Sequence, residues 1–250
     1  MSLSSPSTRQ PRQILSNIYA FPPNRDTLGA TAYFIVEKDA EGNPANLLVD
    51  TPAWDGGNQT FIAAQGGVRW WILTHRGGHG AIAPIQASLQ AEILVQEQEA
   101  YLLPEIPGVQ PFHRTYVLGN PGLGNPGPGN SGGNQPGLGQ PPEVLWTPGH
   151  SPGSSCLYYP RHGGVLFTGR HLLPTPQGTL QPLRFAKTFH WPRQLQQIQQ
   201  LQARFTPDTL AYLCPGANTG FLRGQRLVDH AYGHLQAIAV ESLRSQMPLL

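Results

Sequence analysis

The sequence predicts an α/β protein in which strands and helices are stacked as the layers of a sandwich. Two observations support this prediction. Short apolar runs rich in β-branched and aromatic residues alternate with segments whose apolar residues recur at helical spacing. A second stretch of similar makeup follows the first, and only one glycine- and proline-rich loop interrupts the series. We therefore expect a disordered tail over residues 1–16 and a single domain over residues 17–250.

The first half of the chain is expected to begin with a hairpin. The runs TAYFIVEK and ANLLVDTPAW are separated by the polar turn DAEGNPA. A short helix in TFIAAQGG ends at a glycine pair, and VRWWILTH is the next strand. Residues 81–89 have helical spacing, with Ile82, Ile85 and Leu89 on one face. The segment AEILVQEQEA is then a strand that runs into a polar segment.

Residues 119–142 interrupt this alternation. Almost every residue there is Gly, Pro, Asn or Gln, and such a composition cannot bury enough apolar surface to offset chain entropy. Glycine does not recur at every third position, which excludes a collagen-like helix. We therefore expect a flexible insertion between two strands.

The second half is expected to resume with two strands, in EVLWTPGHSPGSSCLYYP and GGVLFTGRHLL. The segment PRQLQQIQQLQARF is a helix with Leu195, Ile198 and Leu201 on its buried side and a proline near its start. A further buried strand lies in TLAYLCPGAN. The amphipathic segment RLVDHAYGHLQAIAVESLRSQM is expected to close the domain as a last helix.

The composition excludes several classes of partner. The formal net charge is only +2 and charged residues make up 12% of the chain, so no strong field is available to hold nucleic acid or a membrane surface. The N-terminus lacks the apolar run of a signal peptide, and no apolar stretch reaches the roughly 18 residues of a membrane span. We expect a cytoplasmic protein. Cys156 and Cys214 lie in apolar runs without C-x-x-C spacing and are expected to be buried free thiols.

Four landmarks occur in one order along the chain. Asp50 closes an early strand in LLVDT, ILTHRGGHG follows a later strand, TPGHSPGS comes next, and VLFTGR is followed after a helix by LCPGAN. This order resembles the metallo-β-lactamase superfamily over roughly residues 32–218. The resemblance implies a four-layer αβ/βα sandwich. It also implies that Asp50 supports the ligand loop through hydrogen bonds.

The resemblance further implies a dinuclear metal centre, in which two ions activate a water and stabilise the developing oxyanion. The ligands of such a centre come from a loop T-H-x-H-x-D-H, a later His, a bridging Asp and a final His. Laid on this pattern, the sequence keeps only His75 and His150. The other ligand positions hold Gly77, His79, Gly80, Arg170 and Ala217.

Arg170 stands where the family pattern has the bridging carboxylate. A guanidinium does not deprotonate in proteins. At about 4 Å it repels a unit charge by roughly 4 kcal/mol at an effective dielectric near 20, and a divalent ion by about twice that. A two-ion centre is therefore not expected.

The same residues suggest an anion pocket in the space that the metals would occupy. Arginine side chains and a helix N-terminus, here near Ala81, together bind phosphate or carboxylate groups. The alternative is a pocket that is merely filled, with Arg170 paired to Asp50 or Asp55. The expected pocket residues are His75, Arg76, His79, His150 and Arg170.

Two classes of function remain open at this stage. The first is a non-hydrolytic binding, regulatory or scaffolding protein without a resident metal, which contacts a small anionic metabolite or a protein partner. The second is a mononuclear metal-dependent hydrolase of ester, thioester or lactam bonds, in which His75, His79 and His150 hold one zinc or iron ion. His171 is a spare ligand candidate. His230 and His234 have metal-ligand spacing, but a helix face explains them equally well.

Overall fold

A computed structural model of the chain describes residues 10–23, 29–77, 82–118 and 140–249. Within these ranges the chain forms fourteen strands and five α-helices. The strands are β1 (Arg12–Leu15), β2 (Ile18–Ala20), β3 (Tyr33–Ile35), β4 (Leu47–Val49), β5 (Trp70–Ile72), β6 (Glu92–Gln96), β7 (Val109–Phe112), β8 (Thr115–Val117), β9 (Glu143–Trp146), β10 (Ser155–Tyr159), β11 (Val165–Gly169), β12 (Leu173–Pro174), β13 (Leu180–Gln181) and β14 (Tyr212–Pro215). The helices are α1 (Gly56–Ala64), α2 (Ile82–Leu89), α3 (Glu97–Ala100), α4 (Trp191–Arg204) and α5 (Ala231–Gln236).

The strands form two large sheets and one small one. The first sheet has the order β1-β2-β3-β4-β5-β6-β7, and the second has the order β14-β11-β10-β9-β8, while β12 and β13 form a separate pair. In the first sheet β4, β5 and β6 run parallel, because α1 and α2 make the crossovers between them. In the second sheet β11 and β14 are parallel, with α4 between them in the chain. The hairpin predicted in the first half is confirmed as the antiparallel pair β3 and β4.

Three apolar clusters show how the layers pack. The central cluster joins the inner faces of the two large sheets and includes Val49 and Ile72 from the first and Leu157 and Phe167 from the second. A second cluster packs α1 and α2 on the outer face of the first sheet, and a third packs α4 and α5 on the outer face of the second. The order of layers is therefore helix, sheet, sheet, helix. The predicted four-layer αβ/βα sandwich is confirmed.

The helix predicted in PRQLQQIQQLQARF is also confirmed. In α4 the side chains of Leu195, Ile198 and Leu201 are buried, and Pro192 lies at the start of the helix. Its opposite face carries glutamines and remains exposed. No helix in the described ranges combines the length and the apolar character needed to cross a bilayer.

The N-terminal segment is more ordered at its inner end than its composition indicates. Residues 12–15, which we expected in the tail, form strand β1 and pair with β2, with Gln13 opposite Tyr19. Ile14 and Leu15 pack against the central cluster. The apolar surface that they bury offsets the conformational entropy that is lost when this segment becomes ordered. Residues 1–9 of the expected tail lie outside the described residues.

The predicted insertion begins and ends on neighbouring strands. Strand β8 ends at Val117 and β9 begins at Glu143, and these two residues face each other in an antiparallel pair. The backbone N–H of Leu118 donates to the carbonyl oxygen of Pro142 at 2.8 Å. Residues 119–139 lie outside the described residues, so the flexibility of the insertion stays a prediction.

Two segments of the second half differ from expectation. The segment 143–160 holds two strands, β9 and β10, because the turn in TPGHSPGS separates them. The C-terminal helix is also shorter than its amphipathic pattern predicts. It ends at Gln236, and the side chain of Gln202 donates to the carbonyl oxygens of Leu235 and Ile238 at 2.9 and 3.0 Å. In a longer helix these two carbonyl oxygens would accept hydrogen bonds from the helix's own backbone N–H groups.

The two cysteines are buried and free, as predicted. Cys156 lies on β10 and Cys214 on β14. Burial raises the pKa of Cys156 to about 12 and also raises the pKa of Cys214. Both thiols are therefore protonated at neutral pH and act as small apolar side chains.

Candidate functional site

The candidate site is a cavity of about 410 Å³ at the edge of the two sheets. His75 and Arg76 follow β5, His150 lies in the turn between β9 and β10, and Arg170 follows β11. All four line the cavity. They meet because the carboxyl ends of parallel strands lie at the same edge of a sheet, which is where open α/β sheets bind their ligands.

Asp50 anchors the loop that carries His75. Both of its carboxylate oxygens accept a hydrogen bond from the Thr74 hydroxyl at 2.7 Å, and one also accepts from the Thr74 backbone N–H at 2.9 Å. Asp50 itself adopts a left-handed backbone conformation with φ 59°, which aspartate tolerates better than most residues. The position of Asp50 agrees with the supporting role that the resemblance implies.

The Thr74 hydroxyl also determines which nitrogen of His75 carries a proton. It lies 3.1 Å from His75 Nδ1, and its single proton is donated to Asp50. The hydroxyl oxygen therefore accepts from Nδ1–H, so that Nε2 bears no proton in the neutral ring. This Nε2 is buried and has no hydrogen-bond partner among the described residues.

His150 faces the same cavity as a neutral imidazole. Its ring centroid lies 6.2 Å from that of His75 and 6.3 Å from that of Phe185. Burial is the largest cause that lowers the pKa of His150 to about 3, and the nearby charges of His75, Arg170, His171 and Arg76 contribute to the same shift. Arg170 and Arg76 act in the same direction as burial, which indicates a positive potential at this ring.

The charged side chains of the cavity are all cationic. Besides Arg76 and Arg170, the exposed Lys187 lines it, and no carboxylate does so among the described residues. Burial lowers the pKa of Arg170, while the charge of Asp50 acts in the opposite direction. A half-buried guanidinium interacts with an opposite charge more strongly than an exposed one, because water screens it less.

The opposite wall of the cavity is apolar. It consists of Phe185, Ala186 and Leu249. Phe185 and Leu249 come from distant parts of the chain and form a parallel bridge, in which the Leu249 backbone N–H donates to the Arg184 carbonyl oxygen at 2.7 Å.

His171, the spare ligand candidate, does not line the cavity. Its side chain is 1% exposed, and neither ring nitrogen has a hydrogen-bond partner in the described ranges. The side chain of Gln194 donates to its carbonyl oxygen at 3.1 Å and ties it to α4. Burial lowers the pKa of His171 to about 3.

The described residues do not fit a pair of metal ions. A side chain at Gly77, where the family pattern has its second histidine, would begin 2.8 Å from His75 Nε2 and 4.0 Å from Arg170 Nε. The His75 ring thus occupies the space that a second ligand at this position needs. Across the part of the chain that the structure describes, no group of three or more His, Cys, Asp or Glu side chains is arranged to hold a metal ion.

Some predicted site residues cannot be placed. His79, Gly80 and Ala81 lie outside the described residues, so neither the role of His79 nor the helix N-terminus near Ala81 is tested. His230 is exposed and precedes α5 with φ 47°, while His234 is half-buried within that helix.

The two carboxylates considered as partners of Arg170 also bond to other groups, while the charge of Asp50 acts on Arg170 as well. Asp50 is bonded to Thr74 as described above, and Asp55 caps α1 by accepting from the Asn58 backbone N–H at 2.9 Å. A cap of this kind is a common use of aspartate at a helix start.

Sequence reasoning did not find Thr74, Phe185, Lys187 and Leu249. Thr74 precedes His75 and could have been chosen from the T-H pair in ILTHRGGHG. Phe185 and Leu249 carry no local signal, because only the tertiary fold brings their segments together.

A second groove, of about 460 Å³, lies between β9 and α4. Arg114, Trp146 and Arg193 line it, and the Arg193 guanidinium lies 5.2 Å from the centre of the Trp146 ring. None of the predicted site residues borders this groove.

Comparison with known proteins agrees with the fold. The model of the metallo-β-lactamase superfamily matches residues 26–216. ETHE1 from Myxococcus xanthus is similar with a TM-score of 0.59 and 15% identity, over 92% of each chain. The superfamily protein ST1585 from Sulfolobus tokodaii has a TM-score of 0.55 and 12% identity, over 94% of this chain and 89% of its own. A peroxy diiron form of the chemotaxis sensor ODP has a TM-score of 0.54 and 14% identity, over 88% and 95%. Among curated protein sequences none matches the chain.

Proposed function

Although the chain belongs to the metallo-β-lactamase superfamily, we propose that it is a non-hydrolytic protein that binds a small anion in the cavity where its relatives have their reaction centre. The observation that carries this proposal is the charge of the cavity. Arg76, Arg170 and Lys187 line it, and all three side chains are cationic. A cavity of about 410 Å³ has the size of a pocket for a small ligand.

Arg170 is the central anion-binding group of this proposal. It is half-buried, and its planar guanidinium presents parallel N–H donors that match the two oxygens of a carboxylate or a phosphate. Arg76 and Lys187 are exposed, so they add attraction at the entrance but less binding energy.

His150 shapes the cavity without supplying charge to it. His150, with its pKa near 3, remains neutral at physiological pH. His75 presents an unprotonated Nε2 when its ring is neutral, and a lone pair does not attract an anion. The guanidiniums remain charged throughout this range, so we expect the binding of acetate to be nearly constant between pH 7 and 8.

A mononuclear metal-dependent hydrolase is the alternative. One observation favours it, since His75 Nε2 and His150 Nδ1 are both buried and lack a partner among the described residues. Such an ion would need His79 as its third imidazole, together with His75 and His150, and it would have to tolerate the charge of Arg170. Metal content separates the two functions.

The test is thermal stabilisation by inorganic phosphate and by acetate. We expect each anion to raise the melting temperature of the wild type with saturation in the millimolar range, since a ligand bound only by the folded state stabilises it. Arg170→Ala should abolish the shift. Arg114→Ala is the matched control, because Arg114 is exposed and lines the other groove. If neither anion shifts the wild type, or if both variants respond equally, the proposal is wrong.

A further inference from the structure

The cavity has two chemically different ends. Arg170 and Arg76 form a cationic end, whereas Phe185, Ala186 and Leu249 form an apolar end with no charged group of their own. An inorganic anion would use the first end and leave the second in contact with water. A built apolar wall beside an anion-binding group is typical of sites whose ligand has both characters.

Exposed apolar residues also lie in the two segments that border this cavity. The structure has five exposed large hydrophobic residues in its described ranges, and three of them, Phe189, Met247 and Leu249, belong to the two segments that border the cavity. Phe189 donates its backbone N–H to the carbonyl oxygen of His150 at 3.1 Å, which places it beside the site. Single exposed apolar residues need no explanation, but a group at one cavity indicates a ligand surface.

Hydrogen bonds to the backbone of both segments hold the apolar wall in place. The Leu249 N–H donates to the Arg184 carbonyl at 2.7 Å, and the Arg184 side chain donates to the Gln246 carbonyl. In the Phe185 segment, the Thr188 hydroxyl accepts a hydrogen bond from the Phe185 backbone N–H at 2.8 Å. The wall is therefore preformed, so little ordering cost accompanies binding.

We propose that the ligand is a single-chain alkyl carboxylate, with its head group at Arg170 and its chain along Phe185 and Leu249. This inference rests on the proposed function, and it adds the chemical class of the ligand. A carboxylate suits the cavity better than a dianionic phosphate, because only Arg170 among the three cations is half-buried. A peptide C-terminus would offer the same head group, and the cavity volume favours the smaller free acid.

The experiment is a calorimetric titration with a chain-length series at constant ionic strength. Acetate, butanoate, hexanoate and octanoate share the head group and differ only in the tail. We expect the dissociation constant to fall by roughly threefold to fourfold for each methylene that the wall covers. Octan-1-ol, which has the octyl chain without the charge, should bind at least tenfold more weakly than octanoate.

Two matched variants locate the tail. Leu249→Ser should weaken octanoate several-fold and weaken acetate much less, because Leu249 lies along the position proposed for the chain. Phe221→Ser is the control, since Phe221 is exposed to the same 44% and does not line the cavity. Both side chains are exposed enough for the variants to fold.

The outcomes separate this inference from the proposed function. Arg170-dependent binding of every acid with no gain from chain length would overturn the alkyl carboxylate and leave the anion site intact. Equal affinity for octan-1-ol and octanoate would also overturn it. Tighter binding of a short apolar peptide with a free C-terminus than of octanoate would overturn it in favour of a protein partner. No binding of any acid would remove the proposed function as well.

Discussion

The hydroxyl of Thr74 lies 2.7 Å from both carboxylate oxygens of Asp50 and 3.1 Å from the Nδ1 of His75. One side chain thus connects the end of β4 to the histidine that borders the cavity. The contact is buried, so the hydrogen bonds to the charged carboxylate are not weakened by competition with water. This contact positions the start of the loop that carries His75 and Arg76.

Replacing the Thr74 hydroxyl should destabilise the protein. Thr74→Val preserves the shape of the side chain but removes the donor to Asp50 and leaves that carboxylate with fewer partners. We expect a loss of about 2 kcal/mol in the free energy of unfolding, as for hydrogen bonds to charged groups. Urea unfolding at pH 7.5 measures it. Thr74→Ser keeps the hydroxyl and should lose less than half as much, and equal stability of the two variants would argue against the contact.

Gly169 allows β11 to approach Thr74 closely, so a side chain at this position should be costly. A Cβ there would lie 2.2 Å from the Thr74 hydroxyl oxygen, and the backbone has φ 50°. Gly169→Ala should therefore cost about 3 kcal/mol through a steric clash and local strain. Because Arg170 is the next residue, the variant should also weaken acetate binding.

Gly233→Ala is the control for the Gly169 substitution. Gly233 lies within α5, and no atom lies within 4 Å of where its Cβ would be. The substitution should stabilise the protein by about 0.5 kcal/mol, as alanine does in helices. If Gly169→Ala is as stable as Gly233→Ala, Gly169 does not approach Thr74 as closely as described.

The two neutral buried histidines should make the protein sensitive to acid. Burial lowers the pKa of His150 and His171 to about 3 from the ordinary value of 6.5. The unfolded chain takes up these protons first as the pH falls, so stability is complete above pH 6.5 and is lost as the pH decreases towards 3. At pH 5 the loss should be about 2 kcal/mol for each histidine.

Urea unfolding at pH 7.5, 6 and 5 measures this loss. His171→Leu removes one of the two groups and should reduce the decrease between pH 7.5 and 5 by about 2 kcal/mol. His230→Gln replaces an exposed histidine and should keep the wild-type dependence. A wild type equally stable at pH 7.5 and 5 would show that these rings are not held neutral.

The four layers and the meeting of His75, Arg76, His150 and Arg170 could be predicted because their signals are local. Periodic apolar residues specify α4, and the landmarks after β5 and β11 lie at strand ends that the fold brings to one edge. The apolar wall could not be predicted. Phe185 and Leu249 lie in irregular segments without periodicity, and only their pairing in three dimensions makes them a surface.

Strands β7 and β8 were not predicted from the sequence, for a similar reason. β7 contains Gln110 and Pro111, both exposed, and β8 has only three residues, none of them fully buried. Both lie at the edges of their sheets, where one side of the strand needs no partner and apolar alternation is weak.

The most direct test of the account is the metal content of protein purified without chelators from cells supplied with zinc and iron. A guanidinium in the position of the bridging carboxylate, and an imidazole over Gly77, predict far less than one ion of either metal per chain. One or two ions per chain that are lost in His150→Ala would contradict the anion site and establish a metal centre in its place.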